Sequence, residues 1–140
     1  MYMPPRAMGA AQYANVGLHG SIQDATPHAL IQMLIDGFIE RVNVAKLAMK
    51  RGDIALKGHS ITRAMTILGG LKDGLDVERG GELAQNLGDL YAYMEQRLFQ
   101  ASASNDDAAL DEVLGLMHSI KVAWDAIPPS FHAGRGAEAA

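Results

Sequence analysis

A chain of 140 residues with 49% hydrophobic and 6% aromatic residues has the apolar content of one domain with one core, filled mainly by Leu, Ile, Met and Ala. The absence of Cys excludes a disulfide framework, a thiolate metal site and a cysteine nucleophile. A net charge of -4 argues against general nucleic-acid binding, and no apolar run is long enough for a membrane span or a signal peptide, so the expectation is a soluble cytoplasmic protein without membrane insertion.

Residues 1–25 read as a flexible N-terminal segment. Pro4, Pro5 and Gly9 make its start a loose tail, and Tyr13, Val16, Leu18 and Ile22 are sparse apolar residues that form at most a short helical piece docked on something larger. Thr26-Pro27 is a strong helix start: Thr caps, and Pro suits the first helical position because its missing N–H costs nothing there. The helix is expected to run to about Arg51, where Gly52-Asp53 ends it. It carries two apolar stripes, Leu30, Met33, Leu34, Gly37, Ala45 and Ala48, and Ile31, Ile35, Phe38, Ile39 and Val42. Two stripes exceed what an outer helix of a small bundle needs, so the helix is central or one stripe awaits a partner.

Asp53 caps a second helix, expected from Ile54 to Asp76, with Ile61, Ala64, Leu68, Leu71 and Leu75 in a coiled-coil-like seam. Gly69-Gly70 inside it either permits close helix approach or loosens the helix. Val77–Gly81 reads as a short link, making the second and third helices antiparallel neighbours. The third helix runs to about Ala103, with Ala84, Leu87, Tyr91, Met94 and Leu98 on one seam and Leu83 and Leu90 widening it. Ser104, Asn105 and Asp106 offer a cap for a fourth helix, whose seam is Leu110, Val113, Met117, Ile120, Trp124 and Ile127 and which Pro128-Pro129 stops. The predicted fold is all-α: an antiparallel up-down-up-down four-helix bundle over 26–127, with a short N-terminal helical segment before it and a disordered tail over 128–140.

The seams offer no catalytic chemistry. Di-metal bundles need inward Glu and Glu-x-x-His pairs, and here no Glu precedes a His by three residues. The five histidines lack metal-ligand spacing. The glycine pairs are followed by no Gly-Lys-Ser/Thr, and nothing orders Ser, Lys and Asp into a triad. No cofactor or metal is expected, and no enzyme activity. Lys57-Gly58-His59 gives one alternative, a histidine phosphotransfer-type signalling domain, which is also a small four-helix bundle with an exposed His. Those domains place His before the Lys-Gly pair, and here the order is reversed, with only Arg63 one turn beyond His59.

Three ordered stretches carry a closer resemblance. Ala25-Thr26-Pro27-His28-Ala29-Leu30-Ile31-Gln32-Met33-Leu34-Ile35-Asp36-Gly37 is similar to A-S-P-x-x-L-I-x-M-L-Y-D-G of the flagellar secretion chaperone FliS family. Gly80-Gly81-Glu82-Leu83-Ala84-Gln85-Asn86-Leu87, continuing through Leu90-Tyr91-Ala92-Tyr93-Met94 to Arg97-Leu98, resembles its G-G-E-I-A-x-N-L-x-x-L-Y-x-Y-M-x-x-R-L. Ala123-Trp124 with Ile127 resembles its A-W-x-x-I. Thr26 replaces the usual Ser, and Ile35 stands where an aromatic is common. The resemblance implies an antiparallel helical bundle that binds the flagellin C-terminal segment without any reaction. It further implies delivery to the flagellar export gate protein and, in some members, contact with the anti-sigma factor.

With that resemblance in place, the candidate binding residues are Ile31, Ile35, Ile39 and Val42 on the first helix, Met65 on the second, and Leu83, Leu87, Tyr91 and Met94 on the third. Met65 and Ile35, off the tightest seams, are favoured over Leu87 and Met94, which suit the core equally. Tyr13 joins them because the N-terminal segment is expected to cover part of the groove when flagellin is absent.

Overall fold

A computed structural model of the protein describes residues 26–128, and all structural statements concern these. Four helices follow in order, α1 (Pro27–Arg51), α2 (Ile54–Asp73), α3 (Val77–Ser104) and α4 (Asp107–Asp125), with no strand among the described residues. The predicted all-α class is the observed one. The chain divides into two units, one being Leu34–Asp125 and the other the remaining residues of both termini. The packed core described below belongs to the first.

Local chemistry sets each boundary. The Thr26 hydroxyl accepts from Ala29 N–H at 3.1 Å, and its carbonyl accepts from Leu30 N–H. Gly52, at φ 73°, turns the chain out of α1, and the Asp53 N–H closes the end by donating to the Ala48 carbonyl at 2.9 Å. Asp53, Asp76 and Asp106 then cap α2, α3 and α4 by accepting from Leu56, Arg79 and Ala109 N–H. Asn105 ends α3 in the left-handed region, φ 52° and ψ 46°.

Two boundaries differ from expectation. The second helix stops at Asp73, where the Gly74 and Leu75 N–H groups bond back to Gly70 and Lys72, so Leu75 falls outside it. The expected link Val77–Gly81 is instead the first turn of α3, because the Asp76 cap starts a helix before the glycines are reached. The glycine pair does break regularity, but inside the helix: Gly81 sits at φ 55°, ψ -131°, a conformation that only glycine adopts readily.

The core of the first unit draws on all four helices: Ile35, Phe38, Val42, Ala45 and Ala48; Ile61, Ala64, Leu68 and Leu71; Ala84, Tyr91, Met94, Leu98 and Ala101; Ala109, Leu110, Val113 and Met117. Polar pairs register the helices around it. Lys46 bridges Asp107 and Asp111, while Asp36 holds Lys121 at 2.9 Å, so α1 and α4 pair in opposite order. Lys57, near the start of α2, donates to the Ser102 carbonyl and Asn105 Oδ1 at the end of α3, while Lys72 meets Glu95. A two-residue link folds α4 back along α3, where Tyr93 and Arg97 both donate to Glu112 at 2.6 Å. The Gly69-Gly70 pair faces open space, so close helix approach is not its role.

A half-open apolar stripe as candidate functional site

On α3, Leu83, Leu87, Leu90 and Met94 recur at 4-3-4 spacing and share one face. Their burial changes steadily along it. Met94 is fully enclosed, Leu90 and Leu87 are half-buried, and Leu83 is 70% exposed. The α4 seam shows the same gradient in the opposite chain direction: Leu110, Val113 and Met117 are enclosed, while Ile120 and Trp124 are half-buried. Because α4 folds back along α3, the less covered parts of both seams lie at the same end of that helix pair. Leu75, just beyond α2, is also half-buried there, and a Cβ on Gly88 would sit 3.5 Å from its Cδ1, so α3 passes close beside it.

The sequence-selected residues separate into distinct environments. Ile35 is 1% exposed, Val42, Tyr91 and Met94 are likewise buried, and each helps to hold the first unit together. Contrary to its expected place off the tightest seam, Ile35 lies on the seam of α1, alongside Phe38, Val42 and Ala45. Ile31, Ile39, Met65 and Leu87 are half-buried and Leu83 is exposed, so these five present apolar surface. Tyr13 and the rest of the expected N-terminal cover lie outside the described residues, as does the expected C-terminal tail beyond Pro128. Sequence reasoning left out Ile120 and Trp124 as surface candidates. Their strict place in the α4 seam signals burial, and only the position of the neighbouring helix shows that the seam is incompletely covered.

The polar groups are arranged for structure. Hydrogen bonds from Tyr93 and then Arg97 hold the Glu112 carboxyl below its ordinary value of 4.5, and the same contacts raise Tyr93 and Arg97. Asp36, then Asp125, raise Lys121, and the hydrogen bond to Asp111 raises Lys46. Burial alone raises the Tyr91 phenol. His59 is exposed on α2, and the neighbouring Lys57 ammonium is turned away into its bonds with Ser102 and Asn105. Among the described residues, no group of three or more His, Cys, Asp or Glu converges to hold a metal ion. No helix among them is long and apolar enough to cross a membrane. What the start of α3 offers is apolar side chains, Leu83 exposed and Leu87 and Leu90 half-buried, that the described fold does not enclose.

Comparison with known proteins agrees with that character. The family profile described as "Flagellar protein FliS" matches residues 9–130. The flagellar secretion chaperone FliSB of Pseudomonas aeruginosa is 49% identical over 116 residues, covering 83% of this chain and 92% of that protein. The flagellar secretion chaperone FliS of Salmonella typhimurium is 44% identical over 124 residues, covering 88% of this chain and 92% of its own length. That of Vibrio cholerae is 40% identical over 120 residues, covering 86% and 88%.

Proposed function

Because this chain belongs to the flagellar protein FliS family, we propose that it is a cytoplasmic export chaperone that binds the C-terminal segment of flagellin, prevents premature polymerisation and aids type III flagellar export. The activity is binding, with no bond made or broken. The observation that carries this reading is the graded exposure of the Leu83–Leu87–Leu90 row against the half-covered Ile120 and Trp124. An apolar row at helical spacing suits helix-in-groove recognition, in which a partner's own apolar face completes the packing. Within this reading, Leu83, Leu87, Ile39 and Met65 make direct apolar contact. Ile35, Val42, Tyr91 and Met94 act from beneath by fixing the helices that present those residues.

The test is co-purification of the full chain with a flagellin C-terminal fragment, followed by the stoichiometry of the complex. Flagellin lacking its C-terminal segment is expected not to bind, and equal binding of truncated and intact flagellin contradicts the reading.

A further inference from the structure

The exposed row on α3 has a charged companion. Glu82, Asn86, Asp89 and Tyr93 each precede a member of the Leu83, Leu87, Leu90 and Met94 row. At about 100° per residue, the two rows run side by side along the helix. The N-terminal stretch leading into them is also acidic. Between Asp73 and Leu90 stand Asp73, Asp76, Glu78, Glu82 and Asp89 against the single cation Arg79, a net of -4 that equals the formal charge of the whole chain. Asp73, Glu78, Glu82 and Asp89 are exposed and enter no ion pair among the described residues. Glu112, Asp111 and Asp36 are each matched by a cation. Of that unmatched charge, Glu82 and Asp89 border the α3 face that carries the exposed Leu83 and the half-buried Leu87 and Leu90, while Glu78 and Val77, 55% exposed, stand just before the break at Gly81.

We propose that the α3 stripe selects by charge as well as by apolar fit. Its occupant is a cationic amphipathic helix: apolar residues against Leu83, Leu87 and Leu90, and Lys or Arg along the flank that meets Glu82 and Asp89. This rests on the reading that the chain holds the flagellin C-terminal segment, and assigns a cationic flank to the part of that segment seated here. Apolar burial holds the complex together. The acidic flank steers the encounter and fixes which way round the helix lies, since exposed charges act more on association rate and register than on final affinity. A helix with an acidic flank meets like charge and is rejected.

The test measures association and dissociation rates of a flagellin C-terminal fragment from about 50 to about 500 mM NaCl, for wild type and for the triple variant Glu78→Lys/Glu82→Lys/Asp89→Lys. The wild-type association rate is expected to fall with salt. The triple variant should associate about tenfold more slowly at low salt, reverse that dependence so that its rate rises with salt as the repulsion is screened, and keep a similar dissociation rate. The neutral variant Glu82→Gln/Asp89→Asn should fall between them, and serves if reversal disturbs the start of α3. Equal association rates and equal salt slopes in wild type and both variants overturn the proposal.

Two synthetic helices separate this outcome from failure of the parent reading. They share one leucine row and carry either lysine or glutamate flanks. Preference for the lysine helix, lost in Leu83→Asp, supports the charge-selective stripe even if the flagellin fragment does not bind. Binding of the flagellin fragment without preference between the synthetic helices keeps the chaperone reading and removes the charge selection.

Discussion

The two halves of α3 follow one apolar spacing and reach opposite states. From Tyr91 to Ala101 every inner position is sealed: Tyr91, Met94, Leu98 and Ala101 pack into the core, and Lys57 fastens the helix end through Ser102 and Asn105. From Val77 to Leu90 the same period yields Ala84 buried, Leu87 and Leu90 half-buried, and Leu83 in solvent, behind a break at Gly81. The inner rows of both halves are apolar, Ala84, Leu87 and Leu90 in one and Tyr91, Met94 and Leu98 in the other. What differs is the cover. The sealed half faces the enclosed seams of α2 and α4, whereas the open half faces the thinning end of the α4 seam and, at Gly88, Leu75 beyond the end of α2. Burial is thus a property of what stands opposite: one half of α3 is consumed by the fold, and the other leaves apolar side chains partly open to solvent.

The comparison breaks most directly under side-chain truncation. Leu98→Ala removes a fully enclosed side chain and should lower unfolding free energy by about 2–5 kcal/mol. Leu83→Ala should change it by about 0.5 kcal/mol or less while weakening partner binding. Urea denaturation of both variants decides this, and equal losses would mean that the two halves are not energetically distinct.

The fastening at the sealed end comes next. Lys57→Met keeps much of the aliphatic stem but leaves the Asn105 side chain and the Ser102 carbonyl without the ammonium. A loss of about 1–3 kcal/mol is expected, the cost of unsatisfied part-buried polar groups, read as a lower urea midpoint.

Two glycines sharpen the view of the open half. Gly81→Ala forces a side chain into the φ 55°, ψ -131° conformation and should destabilise by about 1–3 kcal/mol. Gly88→Ala places a methyl at ordinary contact distance from Leu75 in regular helix and should stabilise by up to about 1 kcal/mol. Thermal melts of the two variants should therefore shift in opposite directions. Matching shifts would show that the break at Gly81 is not a fixed feature of α3.

The smallest effect is electrostatic. The Glu112 carboxyl is held below its ordinary 4.5 by Tyr93 and Arg97, so it contributes stability above that pH and loses it as pH falls through the depressed folded value. Because the cluster is exposed, its contribution is small and screened by salt. Wild type should exceed Glu112→Gln in urea midpoint above pH 4.5, and the difference should shrink as pH falls below that value. A constant difference across that range would place the origin of the effect elsewhere.

Much of the fold was legible in the amino-acid order because helix boundaries depend on neighbours a few residues away. Thr26-Pro27, Gly52-Asp53 and Asp106 each act through a side chain or backbone conformation that needs no distant partner. The misreadings at Leu75 and Val77 arose between two local signals, where the Asp76 cap outweighed the glycine pair. The candidate site was legible only in part. Leu83 and Leu87 were picked from the resemblance and present apolar surface, but Ile35, picked from the same patterns, is enclosed.

By itself, the sequence determined where helices begin and end and which residues share a face, since capping and the 3.6-residue period are short-range. The tertiary structure decided which faces are consumed by folding. Ile35 and Leu83 are both large aliphatic residues on amphipathic helices; one is 1% exposed and the other 70%. No local rule separates them, because burial requires another helix to arrive opposite, and that depends on residues far away along the chain.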